Sequence, residues 1–368
     1  MNTQYGEATM TNSLNFMIYG VNGYTGRHCA EEALKRGLQP VVAGRNQARV
    51  SRAASDMNLS FRVFDLTDTR AAIEGLQGTT AVLNCAGPFS ATARPLLEAC
   101  TAAGVHYLDV TGEIGVFEYV HQRDDHWRQA GIVALPGVGF DVVPTDCMAA
   151  MLKEALPEAT RLRLAFKSKH GKLSPGTAKT MLEGFAKGCT IRRNGRLEQT
   201  LAGSITDTIP YPGGPSLSVV IPWGDVSTAF YSTGIPNIEV YTSAPEAQLK
   251  QMRSMRRFTP LLRWTWVQNF MKRRIERHVT GPDESERNRD TSELFGEVTN
   301  DAGDCLSMTM TSPNGYSLTF DSAITAMQQV LAGTVKPGAK TPSMAFGSSF
   351  VLGLEGVRVI EGPGQKRD

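Results

Sequence analysis

Three glycines, Gly20, Gly23 and Gly26, stand between an apolar run, Leu14 to Tyr19, and a helical pattern, Arg27 to Arg36. Glycine permits a tight turn and lets the backbone approach a ligand closely. The helix that follows offers unsatisfied N–H groups and a positive dipole end, which together suit an anion such as a dinucleotide's diphosphate. The spacing is G-x-x-G-x-x-G, a variant of G-x-G-x-x-G, and its position after a strand gives it weight. Gly20, Asn22, Gly23, Tyr24, Thr25 and Gly26 are therefore candidate cofactor-binding residues. The alternative is a glycine-rich strand-to-helix turn with no ligand.

The next strand ends in Ala43-Gly44-Arg45-Asn46. Chains that bind NAD carry a carboxylate there for the ribose hydroxyls. Here the position holds Arg45, and a guanidinium binds a 2′-phosphate bidentately. The expected cofactor is NADP(H) rather than NAD(H), unless Arg45 is only a solvated surface arginine. Asp65 offers an acceptor for an adenine amino group with Leu66 against the ring, or else serves as a turn or cap residue. Cys85, Ala86, Gly87 and Pro88 follow the fourth strand at the crevice where a dinucleotide would run. Cys85 reads more simply as a buried small residue than as a nucleophile.

Two carboxylates follow later strands and are candidates for proton transfer, Glu113 and Asp141. Burial would raise either toward the range of a general acid. Each has a structural alternative: Glu113 as a tie between loop and helix, Asp141 as an anchor of the helix that begins near Pro144. Asp146 reads as a first-turn carboxylate, and Thr177 and Lys179 as a solvated helix start that lines the substrate side at most. No HExxH or cysteine–histidine cluster occurs, so no metal is expected. No tyrosine precedes a lysine by four positions, which sets aside the Tyr-x-x-x-Lys pair of short-chain dehydrogenases.

The elements that must position these residues alternate between strand and helix. Strands are expected at Leu14–Tyr19, Pro40–Ala43, Phe61–Phe64, Thr80–Asn84, Val105–Val110 and Ile132–Leu135, with helices between them. That alternation predicts an α/β Rossmann domain, a doubly wound parallel sheet. After Pro144 come a helix to Leu156 and a half-exposed strand at Arg161–Lys167. Further strands around 219–222, 239–242, 292–299, 305–312 and 316–320 predict a second α+β domain with a mixed or antiparallel sheet. Helices at Ser322–Leu331 and Pro342–Leu352 and a strand near Val357–Ile360 are expected to pack back on the first domain. The predicted division is 13–156 with 322–368 for the NADP-binding domain, and 157–321 for the substrate or dimerisation domain.

A chain of 368 residues has room for two cores. A net charge of +2 is far from a nucleic-acid footprint. The six scattered cysteines suit a reducing, cytoplasmic setting. Met1 to Ser13 lacks the apolar core of a signal peptide. Pro260 to His278 combines Trp264, Trp266, Phe270 and Met271 with Lys272, Arg273, Arg274 and Arg277. Packing over a pocket or against a second copy is favoured there over membrane contact. The expected partners are a small-molecule or lipid-like substrate and, in a homodimer, a second copy of the chain; no nucleic acid is expected.

The sequence resembles the saccharopine dehydrogenase-like oxidoreductases, in particular the branch with the mycobacterial trans-acting enoyl reductases. The likeness is carried by Tyr19 to Gly26, Ala43-Gly44-Arg45, Asn84 to Phe89, Tyr107 to Glu113 and Gly139 to Asp146, with fainter echoes at Ser174 to Thr177 and Thr341 to Gly347. Where relatives carry Gly-Gly-Thr this chain has Pro175-Gly176-Thr177. The resemblance implies a Rossmann domain, NADP(H) and reduction of C=C or C=N, but no particular substrate. A saccharopine-type imine reductase would need a cationic clamp, for which Arg192, Arg193 and Arg196 are available unless they only decorate an exposed hairpin. A non-catalytic NADP(H) sensor is the reading from a different class.

Overall fold

Six short strands, β1 (Phe16–Tyr19), β2 (Val41–Gly44), β3 (Phe61–Val63), β4 (Ala81–Asn84), β5 (His106–Asp109) and β6 (Val133–Leu135), pair in parallel in the order β6-β5-β4-β1-β2-β3. A two-residue strand, Gly338–Ala339, adds beside β6. The structure, a computed structural model, describes residues 15–168, 172–178, 188–255 and 264–365. Expectations placed on residues 1–14, on Lys179 and on residues 260–263 lie outside the described residues.

The central strand β1 is buried on both faces, which is why its four residues are all apolar or aromatic. Helices α1 (Tyr24–Lys35), α2 (Gln47–Met57), α3 (Thr69–Leu76), α4 (Phe89–Ala103), α5 (Ile114–His121), α6 (Asp124–Gln129) and α7 (Val143–Ala155) follow the strands in turn. Local chemistry starts several of them. The Asn46 side chain accepts from Arg49 N at the head of α2, and Asp68 accepts from Ala71 N at the head of α3.

The second sheet is mixed. It contains β7 (Arg161–Ser168), β8 (Cys189–Arg193), β9 (Arg196–Thr200), β10 (Thr206–Tyr211), β11 (Gly214–Val220), β12 (Asn237–Ser243), β13 (Thr291–Thr299) and β14 (Cys305–Pro313). The order is β10-β11-β12-β7-β13-β14, with β8 and β9 forming a hairpin on β12. Only β7 and β12 run parallel; the other pairings are antiparallel. Helix α7 crosses β13 closely, and a Cβ on Gly296 would lie 2.6 Å from the Met148 sulfur.

Two expectations are corrected. Residues 316–320 are not a strand but the start of a helix, Gly315–Leu331, whose cap is the Asn314 side chain accepting from Tyr316 N. Tyr316, Leu318 and Phe320 alternate as strand residues would, yet the helix buries Leu318, Thr319, Ser322 and Ala323 as a helical face. That face packs on α1 and against β4 and β5. The last strand, Arg358–Gln365, pairs antiparallel with β14 in the second sheet instead of returning to the first domain. The segment between them does return: Gly338–Ala339 joins β6, and Ser343 N donates to Asp146.

Candidate active site at the carboxyl ends of the parallel strands

Gly20 adopts φ +94°, and a Cβ there would lie 2.8 Å from Ala86 N. The loops after β1 and β4 therefore touch backbone to backbone, an approach open only to glycine. Gly23 is the N-cap of α1 and supplies no side-chain acceptor, and the first turn holds no acidic residue. The leading N–H groups of the helix are thus left for an outside anion. Tyr24 contributes there through its backbone, because its ring is turned toward the second domain. Its hydroxyl donates to Pro282 O at 2.6 Å and accepts from Arg287 Nη1 at 2.9 Å. Thr25 is half-buried one residue on, and Asn22 is exposed, with its Oδ1 3.1 Å from where a Cβ on Gly44 would stand.

Arg45 is exposed at the end of β2, beside the capped head of α2, whose first turn also lacks an acid. Asp65 is exposed and sits in a turn, where its Oδ1 accepts from Thr67 N and Oγ1, each at 2.9 Å. Those bonds, with Arg45 nearby, hold its carboxyl below the usual range. Leu66 beside it is buried. The pieces needed by an adenosine with a 2′-phosphate, a cation and a small apolar ledge, thus share one rim of the sheet.

The loop after β4 carries Cys85, Ala86, Gly87 and a cis Gly87–Pro88 bond. The neighbouring Cys29 thiol and burial push the Cys85 thiol well up, so it stays protonated and is no nucleophile.

The two candidate carboxylates differ sharply. Glu113 Oε1 accepts from Phe89 N and its Oε2 from Ser90 N, both at 2.8 Å. It caps the head of α4 with both oxygens, which commits it as an acceptor and removes it from the candidates for proton donation. Asp141, half-buried after β6, has no hydrogen-bond partner among the described residues. Its Oδ2 would stand 2.6 Å from a Cβ on Gly112, so only glycine leaves room for it there. Burial pushes its carboxyl up to about 7. Asp146 is fully buried and structural, accepting from Ser232 Oγ at 2.7 Å and Ser343 N at 2.8 Å. Asp225, on the helix Asp225–Thr233, accepts from Thr145 Oγ1 at 2.7 Å, and burial raises it as well.

An aromatic cluster begins at Phe140, the residue before Asp141 in the chain. Phe140 meets Phe166 edge-on with centroids 5.9 Å apart, and Phe166 packs on Trp223 at 4.5 Å. Phe140 N donates to Thr319 Oγ1 at 2.9 Å, which fixes this loop to the helix Gly315–Leu331. Ser174 N donates to the Tyr316 hydroxyl at 2.6 Å, and Thr177 Oγ1 lies 3.0 Å from the same oxygen. Thr177 is thus part of a capped turn docked on Tyr316, whose ring in turn meets Tyr24 at 5.2 Å.

Sequence reasoning gave no role to Asn84, Tyr107 and Asp109, all buried, which link the crevice loops from beneath. The available signal was a polar residue closing an otherwise apolar strand, at Asn84 and again at Asp109. Arg192 of the β8–β9 hairpin is not free to serve as a clamp. Arg192 is buried and bonds Glu118, Val226 O and Gly195 O, and Arg193 lies 3.6 Å from Glu198.

Residues 16–135 match the family of the saccharopine dehydrogenase NADP-binding domain. The chain is similar to a saccharopine dehydrogenase-like oxidoreductase of Bos taurus, 25% identical over 159 residues, covering 38% of this chain and 37% of the bovine protein. It is also similar to a trans-acting enoyl reductase of Mycobacterium tuberculosis, 29% identical over 184 residues, 46% of this chain and 43% of that protein. These matches thus span less than half the length of either relative. The fold is shared with saccharopine dehydrogenase (L-Glu forming) of Saccharomyces cerevisiae, with a TM-score of 0.62 at 12% identity, covering 94% of this chain and 99% of that one. Among the described residues no helix is long and apolar enough to cross a membrane.

Proposed function

We propose that the chain is an NADPH-dependent reductase of C=C or C=N in an organic substrate, on the premise that residues 16–135 match the saccharopine dehydrogenase NADP-binding domain. The observation that carries this reading is Asp141: a carboxylate without a hydrogen-bond partner among the described residues, at the carboxyl edge of the sheet, with its carboxyl raised to about 7. When bound, the nicotinamide supplies a hydride. The chain's share is to bind and orient the dinucleotide and to move one proton. The N–H groups that open α1 hold the diphosphate, Arg45 holds the 2′-phosphate, and the Asp141 carboxyl donates the proton that completes the reduction. Gly112 leaves the space in which that carboxyl sits.

Of the two bond types, the surroundings favour C=C in an apolar substrate. Phe140, which precedes Asp141, packs with Phe166 and Trp223 in an aromatic cluster, while Arg192 is already bonded to Glu118 and two carbonyls. A substrate with several carboxylates would lack that residue as a partner. The compartment we infer is a reducing one, the cytoplasm, in keeping with six free cysteines.

The test is oxidation of NADPH by the purified chain on enals, enoyl thioesters and imino acids. Turnover on an enal or enoyl thioester supports the reading. Turnover on imino acids alone moves the assignment to the saccharopine type. Tight NADPH binding with no turnover on any of the three supports a cofactor sensor and overturns it.

A further inference from the structure

Three crevice loops, those after β4, β5 and β6, are joined beneath the surface by one chain of hydrogen bonds that ends on Asp109. Its Oδ1 accepts from Thr111 N and from Gly137 N, each at 2.9 Å. Its Oδ2 accepts from the Tyr107 hydroxyl at 2.7 Å. The same Tyr107 oxygen accepts from Asn84 Nδ2 at 3.2 Å, and Asn84 Oδ1 accepts from Ala86 N at 3.0 Å. Thr92 Oγ1 completes the first loop by donating to Ala86 O at 2.6 Å while lying 3.3 Å from Asn84 Nδ2. Asn84, Tyr107 and Asp109 are each fully buried.

The direction of donation matters. Ala86, Asn84 and Tyr107 each pass a hydrogen toward the next acceptor, and Thr111 and Gly137 donate from the other side. The donors along this path, Ala86 N, Asn84 Nδ2, the Tyr107 hydroxyl, Thr111 N and Gly137 N, run toward Asp109, an arrangement that suits an ionised carboxylate; burial works the other way and raises its carboxyl to about 7. Buried chains of this kind polarise one another and fix geometry tightly. An unsatisfied group in the chain would leave a buried polar atom without a partner.

We propose that Asp109 is the positioning residue of the cofactor crevice, setting the loops after β4, β5 and β6 in register so that the nicotinamide half of NADPH is held in one orientation. Asp109 itself touches no cofactor; it acts through Ala86, Thr111 and Gly137. The adenosine half lies over β1, β2 and β3, which the chain of bonds does not reach. The proposal rests on the NADP(H) reading above and adds to it a division of labour between the two ends of the crevice.

That division supplies the test. The full chain and its Asp109→Asn and Tyr107→Phe variants are titrated with NADPH and with adenosine 2′,5′-bisphosphate, which carries only the adenosine end. Thermal melts check that each variant is folded, and Tyr107→Phe, which keeps the ring, stands in if Asp109→Asn is not. The expected result is that NADPH binds about tenfold more weakly to either variant, equivalent to about 1.4 kcal/mol. Binding of the bisphosphate should change less than about twofold, equivalent to about 0.4 kcal/mol. The fluorescence anisotropy of the bound nicotinamide should fall in parallel. Equal loss for both ligands, or no loss for NADPH in a folded variant, would overturn the proposal. If the unaltered chain binds neither ligand, the cofactor reading itself fails and the proposal goes with it; binding by the unaltered chain keeps the two failures distinct.

Discussion

The crevice at the carboxyl ends of the parallel strands and the cleft at the Arg161 end of the second sheet are both rich in charge, yet they have opposite chemistry. The cleft, about 340 Å³ in volume, is lined by Arg161, Arg163, Arg192, Arg193, Glu239 and Glu297 among others. Its charges mostly neutralise one another. Arg163 bonds Glu297 and Asp207, and Arg192 bonds Glu118 while stacking on Phe230 at 4.2 Å. In the crevice the balance is reversed. Free helix N–H groups, an exposed Arg45 and an Asp141 without a hydrogen-bond partner among the described residues stand apart from one another. Proton transfer and anion binding need groups whose partners are still to come, so the number of charges in a region says less than how many are already paired.

The sharpest break in that comparison is at Asp141. Asp141→Asn should lower kcat/KM with an accepted enal or enoyl thioester by about 10² to 10⁴-fold, the span typical of general acids, with NADPH affinity unchanged. In the unaltered protein the rate should fall as pH rises above about 7, because the donor must be protonated. The same carboxyl has an ordinary value of 3.8. Between those values the folded chain holds a proton that the unfolded chain has released, so stability declines as pH climbs through the window. Asp141→Asn should therefore raise the melting temperature at pH 8 by about 3 °C and leave it little changed at pH 4. A variant with normal turnover would return the site to the sensor reading.

Arg45→Asp comes next. It replaces a charge-assisted contact with a repulsion, so NADPH should bind roughly 100-fold more weakly while NADH changes little. Fluorescence titration with both nucleotides checks it, and an equal change for both would remove Arg45 from the 2′-phosphate. In the cleft, Arg192→Met should act on stability alone. Removing one partner of a buried pair costs about 3 kcal/mol, although Ser227 and Tyr231 still donate to Glu118 at 2.7 and 3.0 Å. Denaturant melts should show that loss and titrations should show unchanged NADPH affinity. A large loss of turnover with stability intact would mean that the cleft takes part in the chemistry.

The crevice was legible where its chemistry is local. A buried strand, three spaced glycines and a helix lie within some twenty residues, and the cation at the end of the next strand follows from the same register. The choice between Glu113 and Asp141 was not legible. Each follows a parallel strand and precedes a helix, and only the fold decides which of them meets the backbone of Phe89 and Ser90. The arginines of the hairpin were ambiguous for the same reason, since Glu118 is 74 residues away from Arg192. Residues 316–320 misled because two periods fit them, and the deciding signal was the cap at Asn314, two residues before the pattern. The strand Arg358–Gln365 had two sheets with open edges to join, and its residues name neither.

The smallest expected effect is the one that tests the contrast between the two carboxylates directly. Glu113→Gln keeps the length and one acceptor oxygen of the side chain but turns its amide toward one of the two N–H groups of Phe89 and Ser90. One charge-assisted bond is lost, which costs about 1–2 kcal/mol of stability. Because α4 begins at Phe89, that loss falls on the loop between β4 and α4, and NADPH affinity should drop about threefold, equivalent to about 0.7 kcal/mol. The chemical step has no use for a carboxylate whose oxygens both accept from backbone, so turnover at saturating NADPH should be unchanged. Single-turnover rates for the two variants side by side separate the roles. If Glu113→Gln slows the hydride step as much as Asp141→Asn does, then both carboxylates belong to the reacting centre and the hydrogen bonds to Phe89 and Ser90 describe only the resting protein.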